Sequence, residues 1–160
     1  MNRGRLAAMR NLKVLILKPS SLGDVIHALP VLRVLKGHYP QAEVHWWVED
    51  SLAPLLENDQ DLTTLQIFNR RNWCSPIGVF RELRSALKLR RERYDWVIDL
   101  QGLARSAWFG WLVRGKVTVG VDSGHEGARA FYDVAVSRAT PETHAVDWYL
   151  DVARAMGVDV

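Results

Sequence analysis

Short, uninterrupted apolar runs alternate with helical patterns along this chain, and that alternation leaves few folds open. Val14–Leu17, Glu43–Val48, a run within Leu62–Phe68, Tyr94–Leu100 and Lys116–Val121 read as strands. Val25 to about His38, Ile77–Arg93, Leu103–Val113 and Thr143–Met156 carry apolar residues at helical spacing. Strands that are apolar throughout, rather than at every second residue, belong in a parallel sheet covered on both faces. Right-handed crossovers then give an α/β, Rossmann-like fold with helices on both sides. In the Ile77–Arg93 helix the spacing predicts Phe80, Leu83 and Leu87 toward the core. Arg81, Arg84, Lys88 and Arg91 then share a solvated face.

The 160 residues suffice for one domain with its own core. A single cysteine, Cys74, excludes an internal disulfide framework and a cysteine-built zinc site, and it fits a reducing compartment. No apolar stretch reaches the roughly 20 residues of a membrane span, so a cytoplasmic location is expected. The patterned chain begins just after Met9. Residues 1–10 are therefore expected to be a leader, disordered or the product of a misplaced start, and 11–160 the domain. Net charge is +3, but eight basic side chains stand against Glu82 and Glu92 between Arg70 and Arg93. So concentrated a patch points to an anionic partner.

The first strand runs into a loop, "KPSSLGD", from Lys18 to Asp24. In an open α/β sheet, ligands bind beyond the carboxyl ends of the strands, where this loop lies. Gly23 permits close backbone approach or unusual dihedrals. Ser20, Ser21 and the helix-start amides can donate to an anion or a sugar oxygen. Two readings of Asp24 coexist. Ser21-Leu22-Gly23-Asp24 fits a capping box with a carboxylate in the first helical turn. The same carboxylate at the mouth of the sheet can also serve as a general base. Neither the three-glycine dinucleotide fingerprint nor the phosphate-loop pattern is present, which disfavours nicotinamide, flavin or Walker-type nucleotide binding.

"KPSSLGDVIHALPVL" (18–32) resembles glycosyltransferase family 9, the ADP-heptose:lipopolysaccharide heptosyltransferases, and the type acting first in inner-core assembly is the nearest. "WWVED" (46–50), "NRRNW" (69–73), "YDWVIDLQGLARSA" (94–107) and "FYD…HAVDWYL" (131–150) agree with it in order and spacing. The likeness covers about residues 11–158. It implies the N-terminal, acceptor-binding domain of a two-domain GT-B enzyme, with the C-terminal nucleotide-sugar domain missing from this chain. It further implies inverting, metal-independent transfer of heptose from ADP-heptose to a Kdo residue of a lipid A-type acceptor. No cofactor is needed beyond that donor, and nucleic acid is not a partner. Asp24 matches the family's general base. Arg70 and Arg71 match positions that contact the acidic acceptor, and arginine suits bidentate anion recognition.

Lys18, Ser20, Ser21, Gly23, Gln101, Gly102, Arg105 and His144 complete the expected substrate-binding set. Gln101 ends the "VIDLQG" strand, where it can bond a sugar and Gly102 admits close approach. Arg105 lies one turn on, and His144 opens the last helix. Asp99 reads as a structural carboxylate, while His27 either tunes Asp24 or packs. His125 stands where many relatives carry arginine, with Arg129 the candidate to replace it. Trp46, Trp47 and Trp96 are expected in the core, and Trp73 is the candidate for stacking on a sugar. The basic helix face is either ordinary solvated surface or a contact with anionic lipid at the inner leaflet of the membrane. A stand-alone anion- or lipid-binding module without catalysis is the alternative to the enzyme. A nucleotide-binding α/β protein of another class stands third.

Overall fold

The computed structural model describes residues 12–124 and 127–160. The expected leader and His125 lie outside them. The elements are β1 (Lys13–Leu17), α1 (Leu22–His38), β2 (Glu43–Glu49), β3 (Thr64–Phe68), α2 (Pro76–Arg90), β4 (Trp96–Asp99), α3 (Ala104–Val113), β5 (Val117–Asp122), β6 (Val134–Ser137) and α4 (Ala145–Ala155). Short 3-10 turns at Asp50–Leu55, Arg70–Cys74 and Ala128–Phe131 complete them.

All six strands are parallel, in the order β3-β2-β1-β4-β5-β6. Successive side chains on a strand point to opposite faces, so each apolar run feeds two cores. Val14 and Ile16 pack with Val25, Leu32, Trp148 and Val152, beneath α1 and α4. Leu15 and Leu17 pack with Ala86, Leu89, Phe109 and Val113, beneath α2 and α3. The adjacent Trp46 and Trp47 divide in the same way between the two cores. The α/β reading from continuous apolar runs is the fold observed.

Two expectations need correction. The strand β6 was not legible: its apolar run is three residues long, and it lies at the sheet edge with its side chains at least partly exposed. The face of α2 was misread. Its buried residues are Gly78, Glu82, Ala86 and Leu89. Ile77, Phe80 and Leu87 are 70%, 57% and 45% exposed, and Leu83 is only half-buried. The helix packs closely on α3 and the Arg70–Cys74 turn rather than on the strands, with small residues on its buried side, and a periodicity weighted toward large apolar side chains picks the opposite side.

One close approach fixes the β5 end of the fold. The Tyr132 ring crosses Gly120, where an added Cβ would lie 2.3 Å from the ring. This lets the Tyr132 hydroxyl reach Asp99 at 2.8 Å. Gly120→Ala should therefore lower stability by about 1–3 kcal/mol, the usual cost of overpacking. Urea unfolding of the 160-residue chain checks this: the midpoint should fall, and Tyr132→Leu on the Gly120→Ala background should recover part of the loss.

Candidate functional site

The strand order reverses between β1 and β4, and ligands of such sheets bind over that reversal. A small cleft opens there, at the carboxyl edge. Pro19 and Ser20 enter it after β1, Glu49 at the end of β2, Arg70 after β3, and Gln101, Leu103 and Arg105 after β4. Trp47 lines it too, stacked between Phe68 (centroids 4.3 Å apart) and Phe109 (4.4 Å). Four residues expected at the site, Ser20, Arg70, Gln101 and Arg105, thus share one cavity. Sequence reasoning placed Trp47 in the core and missed its second role. Glu49, Phe68, Leu103 and Ser106 were also missed, although the ends of strands on either side of a reversal are where lining residues must come from.

Arg71 faces an adjoining depression with Asp50, Asn69 and Cys74. Asn69 donates to Asp50 Oδ2 at 3.2 Å and accepts from the Arg71 amide at 2.9 Å, which holds the arginine turn against the end of β2. The backbone of Trp73 lies in that turn, but its side chain is outside the described set. Cys74 is an exposed free thiol.

Asp24 lies in the first turn of α1, beside the cleft rather than among its lining residues. Its Oδ2 accepts from the Ser21 amide at 3.2 Å and the Ser21 hydroxyl at 3.0 Å. Lys18 Nζ stands 3.8 Å from the same oxygen. Every contact described for the carboxylate falls on Oδ2, so Oδ1 is unengaged among the described residues. The side chain is 41% exposed. The capping role and an open carboxylate therefore coexist, as the two readings allowed. Burial pushes the Asp24 carboxyl up, but Lys18, the two Ser21 donors and His27 outweigh it and hold it below its ordinary value.

Lys18 is not at the surface of the cleft. It is 3% exposed, donates to the Leu100 carbonyl at 3.0 Å, and lies over the Tyr149 ring at 5.1 Å. This corrects its expected place among the substrate contacts: it supports Asp24 from behind. Burial lowers its ammonium to about 8, against the attraction of Asp24 and Asp99. His144 caps α4 by accepting from the Val146 amide at 3.3 Å, and its ring meets His27 at 5.0 Å. Both histidines belong to the Asp24 group rather than to the cleft.

Gly102 also needs correction as a substrate contact. Its φ is +70°, and a Cβ there would meet Val121 at 2.8 Å. Its amide donates to Asp99 and its carbonyl accepts from Ser123. The close approach it permits is to β5, not to a ligand. Gly23 has ordinary helical dihedrals and open space where a Cβ would stand, so only its room for a ligand survives. Arg129 is tied to Asp122 at 3.0 Å. Asp99 is structural, as expected: it is fully buried and binds the Gln101 amide at 2.8 Å and the Tyr132 hydroxyl. Burial raises its carboxyl against these donors. Among the described residues no cluster of three or more His, Cys, Asp or Glu is placed to hold a metal ion.

A fully parallel sheet with this order and a cleft of mixed polar and apolar lining over the reversal is the Rossmann-like unit from which GT-B glycosyltransferases are assembled. The comparisons agree. Residues 82–160 match the model for glycosyltransferase family 9 (heptosyltransferase). Lipopolysaccharide heptosyltransferase 1 of Pseudomonas aeruginosa is 33% identical over 117 residues, covering 69% of this chain and 32% of that protein. Its Campylobacter coli counterpart is 31% identical over 96 residues, covering 60% and 27%. Escherichia coli heptosyltransferase WaaC, solved with ADP-2-deoxy-2-fluoro heptose, superposes with a TM-score of 0.80 at 30% identity, over 92% of this chain and 49% of that one. The chain belongs to glycosyltransferase family 9. It spans about a third of the length of these curated relatives and about half that of the solved structure.

The Asp24 arrangement sets a measurable expectation. In a carboxyl NMR titration of the 160-residue chain, Asp24 should titrate below an ordinary aspartate, and Lys18→Gln should move it upward. The lysine is lowered too, by burial. Its lowered value means that the unfolded chain binds the proton more tightly, so stability contributed at this site should rise as pH climbs from about 8 toward 10.5.

Proposed function

We propose that this chain is the acceptor-binding half of an inverting, metal-independent heptosyltransferase, moving heptose from ADP-heptose to a Kdo residue of the lipopolysaccharide inner core. The observation that carries the reading is Asp24, whose carboxylate has one oxygen tied down and the other open beside a cleft lined by arginines. An acceptor hydroxyl on that open oxygen is oriented and deprotonated as it attacks the anomeric carbon of the heptose. The carbon–oxygen bond to ADP breaks on the opposite face, and the proton ends on Asp24. Ser21 and Lys18 keep the carboxylate ionised and fixed in orientation. Arg70 and Arg71, on their own turn at the cleft mouth, supply charge for the carboxylate and phosphate groups of the acceptor. Gln101 and Ser20 offer hydrogen bonds to its hydroxyls.

The departing diphosphate also needs donors or cations. In this reading a second domain provides them and completes the donor site, and 11–160 is the first of the two. The donor class is supported by the WaaC structures solved with ADP and with an ADP-heptose analogue. A place in the cytoplasm, where a soluble nucleotide sugar meets a lipid-borne acceptor, belongs to the same reading.

In the two-domain enzyme, Asp24→Ala should lower kcat by about a hundredfold or more while leaving the circular dichroism of the fold intact. Undiminished turnover would remove the base. Arg70→Ala with Arg71→Ala should raise the acceptor KM about tenfold, with little change in the donor KM. Equal effects on both would place the arginines elsewhere in the reaction.

A further inference from the structure

The correction to α2 leaves a surface that the transfer reaction does not use. Ile77, Phe80 and Leu87 stand 45–70% exposed on the side of the helix away from the sheet. Arg81, Arg84, Lys88 and Arg91 are exposed on the same side, with Arg84 over the Phe80 ring at 6.0 Å. At 100° per residue, Phe80 and Leu87 form one edge of this face and the four cations the other. The only carboxylate within the helix is Glu82, and it is buried on the opposite side. The outward surface of α2 is thus apolar and cationic with no anion of its own.

We infer that α2 is an interfacial helix that docks the protein on an anionic lipid bilayer, inserting Phe80 and Leu87 and pairing its arginines and lysine with headgroup phosphates. Charge complementarity selects the occupant. A partner covering these cations has to carry dense negative charge beside an apolar layer, and an anionic leaflet has both. A second copy of the chain would bring its own cations against these. No helix among the described residues is long and apolar enough to cross a membrane, so the attachment is peripheral.

The topology gives the docking a consequence. Because α2 follows a parallel strand, it starts at the carboxyl edge of the sheet, directly after the Arg70–Cys74 turn. Ile77 and Phe80 therefore lie at the cleft end of the helix, and its basic surface continues toward Arg70 and Arg71. A bilayer contacted along α2 brings lipid headgroups to the rim of the cleft. The inference takes its purpose from the proposed lipid-borne acceptor, yet its test needs no sugar.

The test is sedimentation of the 160-residue chain with phosphatidylcholine vesicles, with and without phosphatidylglycerol. Binding should require phosphatidylglycerol and weaken steeply with salt. Arg84→Glu with Lys88→Glu should reduce it about tenfold or more. Phe80→Ser with Leu87→Ser should also reduce it, but leave the salt dependence unchanged. All four positions are exposed, so circular dichroism should be unaltered. A polarity-sensitive dye on Phe80→Cys, in a Cys74→Ser background, should shift to the blue on phosphatidylglycerol vesicles. Equal binding to both vesicle types, indifference to these substitutions, or a dimer broken by Phe80→Ser in place of vesicle binding would each overturn the inference. Loss of vesicle binding with transfer to a soluble acceptor intact in the two-domain enzyme would separate this failure from that of the catalytic reading.

Discussion

Two buried polar side chains at the ends of the central strands, Lys18 and Asp99, hold the crevice together through their hydrogen bonds. Lys18 leaves β1 and bonds to the Leu100 carbonyl just past β4, while Asp99, the last residue of β4, gathers the Gln101 and Gly102 amides and the Tyr132 hydroxyl. Neither side chain reaches water. Replacing either side chain by an apolar one strands the buried carbonyl, amides or hydroxyl it satisfies, which costs more than the bonds contribute when intact. These groups fix where the loop after β1 and the loop after β4 sit relative to each other, and hence where Asp24 and Gln101 stand.

Much of what the family motifs supply proves to be bracing. The Trp46 indole donates to the Lys18 carbonyl at 3.1 Å, fastening β2 to the end of β1. Asp50 is tied to Asn69, and the Trp148 indole to the Val136 carbonyl. Tyr149 lies beneath the Lys18 ammonium. Most of these bonds join separate stretches of sequence, so the spacing that made the resemblance visible reflects a set of mutual supports around one cleft edge.

The sheet was legible because strands buried on both faces must be apolar throughout, and the loop carboxylate was legible because a capping position has a local pattern. What failed was long-range. Gly102 satisfies two demands that look alike in a sequence, a ligand's approach and a neighbouring strand's, and only the packing of Val121 decides between them. Lys18 was expected among the substrate contacts, and nothing local announces the carbonyl that holds it. In α2 Ile77, Phe80 and Leu87 face outward while Gly78, Glu82 and Ala86 are buried, a reversal that goes with its packing on α3 and the Arg70–Cys74 turn. That reversal is also what gives the basic patch a surface able to meet a bilayer.

The central claim is that the open oxygen of Asp24 receives the proton of an incoming sugar hydroxyl. The most direct measurement is a crystal structure of the chain with a Kdo-terminated acceptor saccharide. An acceptor hydroxyl oxygen should lie within hydrogen-bond reach of Asp24 Oδ1, about 2.6–3.2 Å, with the Kdo carboxylate on Arg70 or Arg71. An acceptor seated in the cleft with every hydroxyl out of reach of Asp24, or bound at the opposite edge of the sheet, would contradict the account.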